Sequence, residues 1–117
     1  MIGITANGSV RITNAATTLI SGRVDSGGGQ VDIHSNGDLT LANTLTSGGG
    51  AIDLSTRDNF RMTSGAVVDT EVGAAGIQIT ASDAIILEDH SIVYGQDSEV
   101  LITGGSDVTL SDIRTSA

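Results

Sequence analysis

The chain sets 14 Asp and Glu against 5 Arg and no Lys in 117 residues, a formal net charge of −9. It has 16 Gly, one Tyr, one Phe and no Cys, Pro or Trp. Disulfides, zinc–thiolate sites and thiol catalysis are thereby excluded, no basic patch is present to neutralise phosphates, and no apolar run reaches the length of a membrane span.

Along the chain, short strands of alternating apolar and polar residues recur. Ile2, Ile4, Val10 and Ile12 open a frame of two apolar pairs set eight residues apart, with Ala6-Asn7-Gly8 as the turn between them. Leu19 supplies a third apolar point, and Ser26-Gly27-Gly28-Gly29 returns the chain to a second copy, Val31, Ile33, Leu39 and Leu41. Ile52, Leu54, Phe60 and Met62 make the third copy, Ile77, Ile79, Ile85 and Leu87 the fourth, and Val100, Ile102, Val108 and Leu110 the fifth. The later third points are Leu45, Val67, Ile92 and Ile113, and Ser111 to Ala117 breaks off before its coil is complete. Period-two alternation predicts strands, and the Gly, Asn and Asp between them supply tight corners.

A fixed eight-residue offset with elastic spacers predicts a right-handed parallel β-helix of about five coils, each with three short strands. A β-sandwich would not require that offset in every copy, and amphipathic helices are opposed by the β-branched and Gly content. Residues 1–117 read as one segment, expected to be an excerpt of a longer rod. Met1 to Gly8 has neither the basic start nor the apolar stretch of a signal peptide. The alternatives are a cytosolic chain or, preferred, a segment of a larger exported protein.

Certain phrases carry a family resemblance. Gly28-Gly29-Gln30-Val31-Asp32-Ile33 with Asn36-Gly37-Asp38-Leu39-Thr40-Leu41, Gly49-Gly50-Ala51-Ile52-Asp53-Leu54-Ser55, and Ser64-Gly65-Ala66-Val67-Val68 resemble the passenger repeats of filamentous-haemagglutinin-type adhesins, the exoproteins of two-partner secretion. The resemblance implies a bacterial secreted or surface protein whose rod spaces or displays binding sites. The amino-terminal secretion domain of that family is not among these residues, so export rests on the resemblance alone.

Residues between core positions should point outward and form ladders from coil to coil. The first-strand ladder reads Gly3, Asp32, Asp53, Gln78, Leu101, beside Thr5, His34, Ser55, Thr80, Thr103; the second-strand ladder reads Arg11, Thr40, Arg61, Ile86, Thr109. Asp32 and Asp53, with His34 nearby, are the best acid–base pair on offer, since adjacent carboxylates can raise a pKa or hold a cation. They are equally ordinary on the solvated face of an acidic protein. A calcium role would need Gly-bent loops followed by Asp, and here the Asp residues alternate with core residues on strands. The interrupted Thr columns do not make an ice-binding face, and His34 and His90 read as surface residues. No catalytic, cofactor-binding or metal residue is assigned, and enzyme activity is not expected.

Outward Leu101 and Ile86 break the polar rule; cover by the long third-corner loops is one expectation, lateral contact with another chain the other. The stretches Asn14–Gly29 and Ser64–Gly76 read as inserts where a recognition surface would sit. Three functional readings follow: a rigid structural or adhesive stalk, a filament subunit stacking through open ends, or a fragment of a carbohydrate-active enzyme. The expected partner is a protein or glycan receptor on a host or neighbouring cell, or other copies end to end, with no nucleic acid and no membrane insertion.

Overall fold

Alternation builds this fold, because a pleated strand turns every second side chain to the same face. The computed structural model describes residues 4–72, 75–96 and 98–115, and among them sixteen strands and no helix form a parallel β-solenoid of about five turns. Strand β1 (Ile4–Thr5) precedes the first full coil, made of β2 (Val10–Asn14), β3 (Thr18–Ile20) and β4 (Val24–Asp25). The second coil is β5 (Val31–Ser35), β6 (Leu39–Leu41) and β7 (Thr44–Thr46), and the third β8 (Ile52–Thr56), β9 (Phe60–Met62) and β10 (Val67–Asp69). Strands β11 (Ile77–Ala81), β12 (Ile85–Leu87) and β13 (Ile92–Tyr94) form the fourth, and β14 (Val100–Gly104), β15 (Val108–Thr109) and β16 (Asp112–Arg114) the fifth.

The strands stack into three parallel sheets. The first sheet runs β2-β5-β8-β11-β14, the second β3-β6-β9-β12-β15 and the third β1-β4-β7-β10-β13-β16. Register is kept from coil to coil, so the core is a set of aliphatic columns. Val10, Val31, Ile52, Ile77 and Val100 form one, and Leu39, Phe60, Ile85 and Val108 another. The third sheet contributes Ile4, Val24, Leu45, Val68, Val93 and Ile113. In the middle coils these side chains are sealed from water, and each such aliphatic contributes about 1.5–3 kcal/mol on burial.

The first coil is framed differently from the sequence expectation. Val10 and Ile12 pair with Val31 and Ile33, so they lie on the first sheet and not the second. Ala6-Asn7-Gly8 consequently precedes the first sheet, above the Gly27–Gly29 corner, and Ile4 belongs to the third sheet. Ile2 and Gly3 lie outside the described residues. The true second strand of this coil is Thr18-Leu19-Ile20, with Leu19 facing out and Thr18 in a core column. Thr18 is tolerated there because its hydroxyl lies 3.1 Å from Ser35 Oγ and accepts from Asn14 Nδ2 at 3.0 Å. Val24, not Leu19, is the third core point. Asn14–Gly29 is therefore no insert: Val10 to Val31 and Val31 to Ile52 are equal steps of 21 residues.

Two third strands also sit one residue away from the expected phase. Val68 and Val93 are buried, while Val67 and Ile92 face outward, half-covered. Ser111 to Ala117 does not break off either, since β16 completes the third sheet of the fifth coil; Ser116 and Ala117 lie outside the described residues.

The three corners differ in kind. At the first corner, Asn59 donates from its backbone N and from Nδ2 to Asp38 Oδ1 at 3.0 and 3.2 Å, and accepts from the Ala84 N–H at 3.0 Å, tying three coils together. Thr56 donates from its hydroxyl to the Gly37 carbonyl one coil before. At the third corner Ser26 and Ser47 each donate to a glycine carbonyl three residues ahead, Gly29 and Gly50, at 2.6 Å. Gly27, Gly28, Gly48 and Gly49 repeat one left-handed pair of conformations, with φ of 69°, 118°, 64° and 112°.

Candidate functional site

The outer face of the first sheet gathers most of the polar residues marked by the sequence. Its true ladder is Arg11, Asp32, Asp53, Gln78, Leu101, beside Thr13, His34, Ser55, Thr80, Thr103. Arg11 thus replaces Gly3, and Thr13 replaces Thr5. On the second sheet Leu19 takes the place given to Arg11, ahead of Thr40, Arg61, Ile86 and Thr109.

Asp32 and Asp53 are direct register partners one coil apart, as the sequence reading required. Partial burial raises the Asp53 carboxyl above its ordinary value, and the Asp32 charge raises it further while His34 pulls it back. Arg11 reaches Asp32 from the other side at 3.8 Å, a loose exposed pair. Asp53 also borders a shallow groove of about 260 Å³ with Gln30, Ile77, Gln78, Glu99 and Leu101.

His34 lies in a chain of side chains. Its Nδ1 is 2.8 Å from Ser55 Oγ and its Nε2 is 3.1 Å from Asn36 Oδ1. With the proton on Nε2, the ring donates to Asn36 and accepts from the Ser55 hydroxyl. A hydroxyl, an imidazole and an orienting amide are the parts of a nucleophilic triad. A donor pair for a developing oxyanion is what the setting does not offer, because the surrounding backbone N–H groups are engaged in the parallel ladder. What these contacts do is clamp the second coil to the third. Among the described residues no group of three or more His, Asp or Glu is placed to hold a metal ion.

Elsewhere the exposed apolar residues define the surface. Ile86 is 37% and Leu101 47% exposed, so the corner loops do not cover them. Arg61, beside Ile86 on the second sheet, donates to Glu88 Oε2 at 2.5 Å. His90 sits at an exposed corner with φ of 68°, which identifies it as a turn residue. In Ser64–Gly76, β10 is regular and the added length lies on both sides of it, before it at the turn where Gly65 takes φ of 82°, and after it, where Glu71 takes φ of 71° and Val72 is exposed; Gly73 and Ala74 lie outside the described residues.

The outer face of the third sheet carries charges outside the ladders expected from sequence. Arg23 precedes Val24 and Asp25 follows it at one end; Asp112, Ile113 and Arg114 hold the same columns at the other. Arg114 donates to both Asp112 oxygens, at 3.0 and 2.6 Å, and holds that carboxyl below its usual range. The alternation of charge around a single apolar residue was the available signal, once Val24 is recognised as a core point. No described helix is long and apolar enough to cross a membrane. Comparison with known proteins gives no family model, no curated protein and no solved structure that matches the chain.

Proposed function

We propose that the chain is a rigid stalk module of a bacterial secreted or surface protein, holding a region that binds a protein or glycan receptor away from the cell. One observation carries this reading: three parallel ladders run in register through every coil, sharing one aliphatic core. A solenoid of this kind resists bending because displacing any coil breaks hydrogen bonds in three sheets at once. The resemblance to filamentous-haemagglutinin-type exoproteins supplies the cellular setting. Among the described residues the Asp32–Asp53 pair lies on a strand face beside a shallow groove, which favours the stalk over a fragment of a carbohydrate-active enzyme.

Pulling single chains by their two ends tests the mechanical role. Rupture is expected in discrete steps, each releasing one coil, about 70–90 Å of extended chain at roughly 3.5 Å per residue. Smooth extension at low force, without coil-sized steps, would refute a load-bearing role.

A further inference from the structure

Two hollows open on the outer face of the first sheet and meet at Gln30. One, of about 260 Å³, runs from Gln30 past Asp53 and Gln78 to Glu99 and Leu101. The other, of about 180 Å³, lies between Ser9, Arg11, Gln30 and Asp32. Register explains the trough. The residue just before each first-sheet strand faces out, and Val10, Val31, Ile52 and Ile77 donate their backbone N–H groups to the carbonyls of Gln30, Ala51, Gly76 and Glu99. Those four therefore stack in one column, beside the ladder that holds Asp32, Asp53, Gln78 and Leu101. Ala51 offers only a methyl and Gly76 no side chain, so the column is cut away in its middle and the groove opens along the rod axis. We infer that this face binds a linear polysaccharide bearing free amino groups, laid along the axis with one sugar ring to each coil. Such a ligand is additional to the receptor-binding region that a stalk would carry.

The lining selects the ligand. Gln30 and Gln78 each offer a donor and an acceptor, which is what sugar hydroxyls need. Asp53 and Glu99 add carboxylates, and none of the described residues lining the larger hollow is cationic. An ammonium group on the ligand supplies the missing positive charge, whereas a sulfated or uronic chain would be repelled. Arg11, in the smaller hollow, already faces Asp32 at 3.8 Å. A basic peptide would bring the same charge, but it also carries backbone N–H and C=O groups that seek a strand edge. Strands β8 and β11 are paired on both sides and present none. A polysaccharide makes no such demand. Successive coils stand about 4.8 Å apart, close to the length of one pyranose ring in an extended chain. Leu101, 47% exposed, gives the end of the groove an aliphatic surface for a ring face.

Isothermal titration of the whole chain with a glucosamine oligosaccharide, its fully N-acetylated counterpart and an oligolysine of equal charge tests this. The glucosamine chain should bind, and the acetylated one about tenfold more weakly. Asp53→Asn and Glu99→Gln should each lower the affinity about fivefold. Ala51→Gln fills the trough without changing charge and should abolish binding. Asp89→Asn removes the same charge at an exposed corner between β12 and β13, away from this face, and should leave binding unchanged. Circular dichroism of each variant checks that the fold is kept. Absence of binding overturns the inference, as does equal binding of the acetylated chain. Oligolysine binding as tightly, or Asp89→Asn weakening binding as much as Asp53→Asn, would reduce the contact to net charge and overturn it too. None of these outcomes touches the stalk reading, which is decided by the pulling experiment on single chains.

Discussion

Gly8 and Gly50 occupy the same corner in different coils, and replacing each with Ala should give opposite results. A Cβ on Gly50 would lie 2.1 Å from the Gly29 carbonyl oxygen and 2.4 Å from its carbon, both backbone atoms of the preceding coil. A Cβ on Gly8 meets nothing within 4 Å. Neither glycine has a left-handed φ, so the contrast isolates the stacking contact. Removing a glycine's freedom in the unfolded chain is worth about 0.4–1 kcal/mol in both variants. At Gly50 the coils must separate by more than about 1 Å against fixed backbone, at the upper end of the roughly 1–3 kcal/mol cost of overpacking. The net expectation is a loss of about 2 kcal/mol for Gly50→Ala, or roughly 8 °C in midpoint for a domain of this size. Gly8→Ala should be neutral or gain up to about 1 kcal/mol. Urea and thermal unfolding followed by circular dichroism measure both. Equal effects in the two variants, or a Gly50→Ala protein as stable as the parent, would refute the close approach of coils at this corner.

Val93→Ala should cost about 2 kcal/mol in urea unfolding and Ile92→Ala less than about 1, although Ile is the larger residue, because only Val93 faces the core. The reverse order would restore the phase read from sequence. Asp53 gives a pH signature. Its folded-state pKa is raised, so the folded chain holds the proton more tightly than the unfolded one. Stability should therefore fall as pH rises through the window above the ordinary Asp value, and Asp53→Asn should remove that loss. Unfolding midpoints of parent and variant should diverge above this window and converge below it; parallel curves would contradict the assignment.

Most of the fold was legible because alternation survives wherever core and surface residues differ in kind. Coils two to five follow the apolar frame without exception on their first two strands. In the first coil the second strand has inverted polarity, Thr18 inward and Leu19 outward, so no hydropathy pattern could find it, and Val10–Ile12 was free to be matched to the wrong sheet. In Val67-Val68 and Ile92-Val93, two β-branched residues stand side by side, and a slip of one residue reverses which is buried. The surface was legible to the same extent. Asp32, Asp53 and His34 were brought together as expected, since their columns depend only on first-strand register. The charged residues at the two ends of the third sheet were not, because their shared columns emerge only when the third-strand phase is right.

The first corner keeps one length in all five coils, from Val10 to Thr18 as from Val100 to Val108, while the other two corners lengthen in the third coil. Asp38, Asn59 and the Ala84 backbone stitch successive coils along that edge, so an added residue there would shear two sheets against each other. The rod thus has one keel and two editable margins. A peptide grafted after β10 or β13 would be carried as cargo on a fixed spine, and grafts in neighbouring coils would stand about 4.8 Å apart, a graduated scale set by the backbone itself.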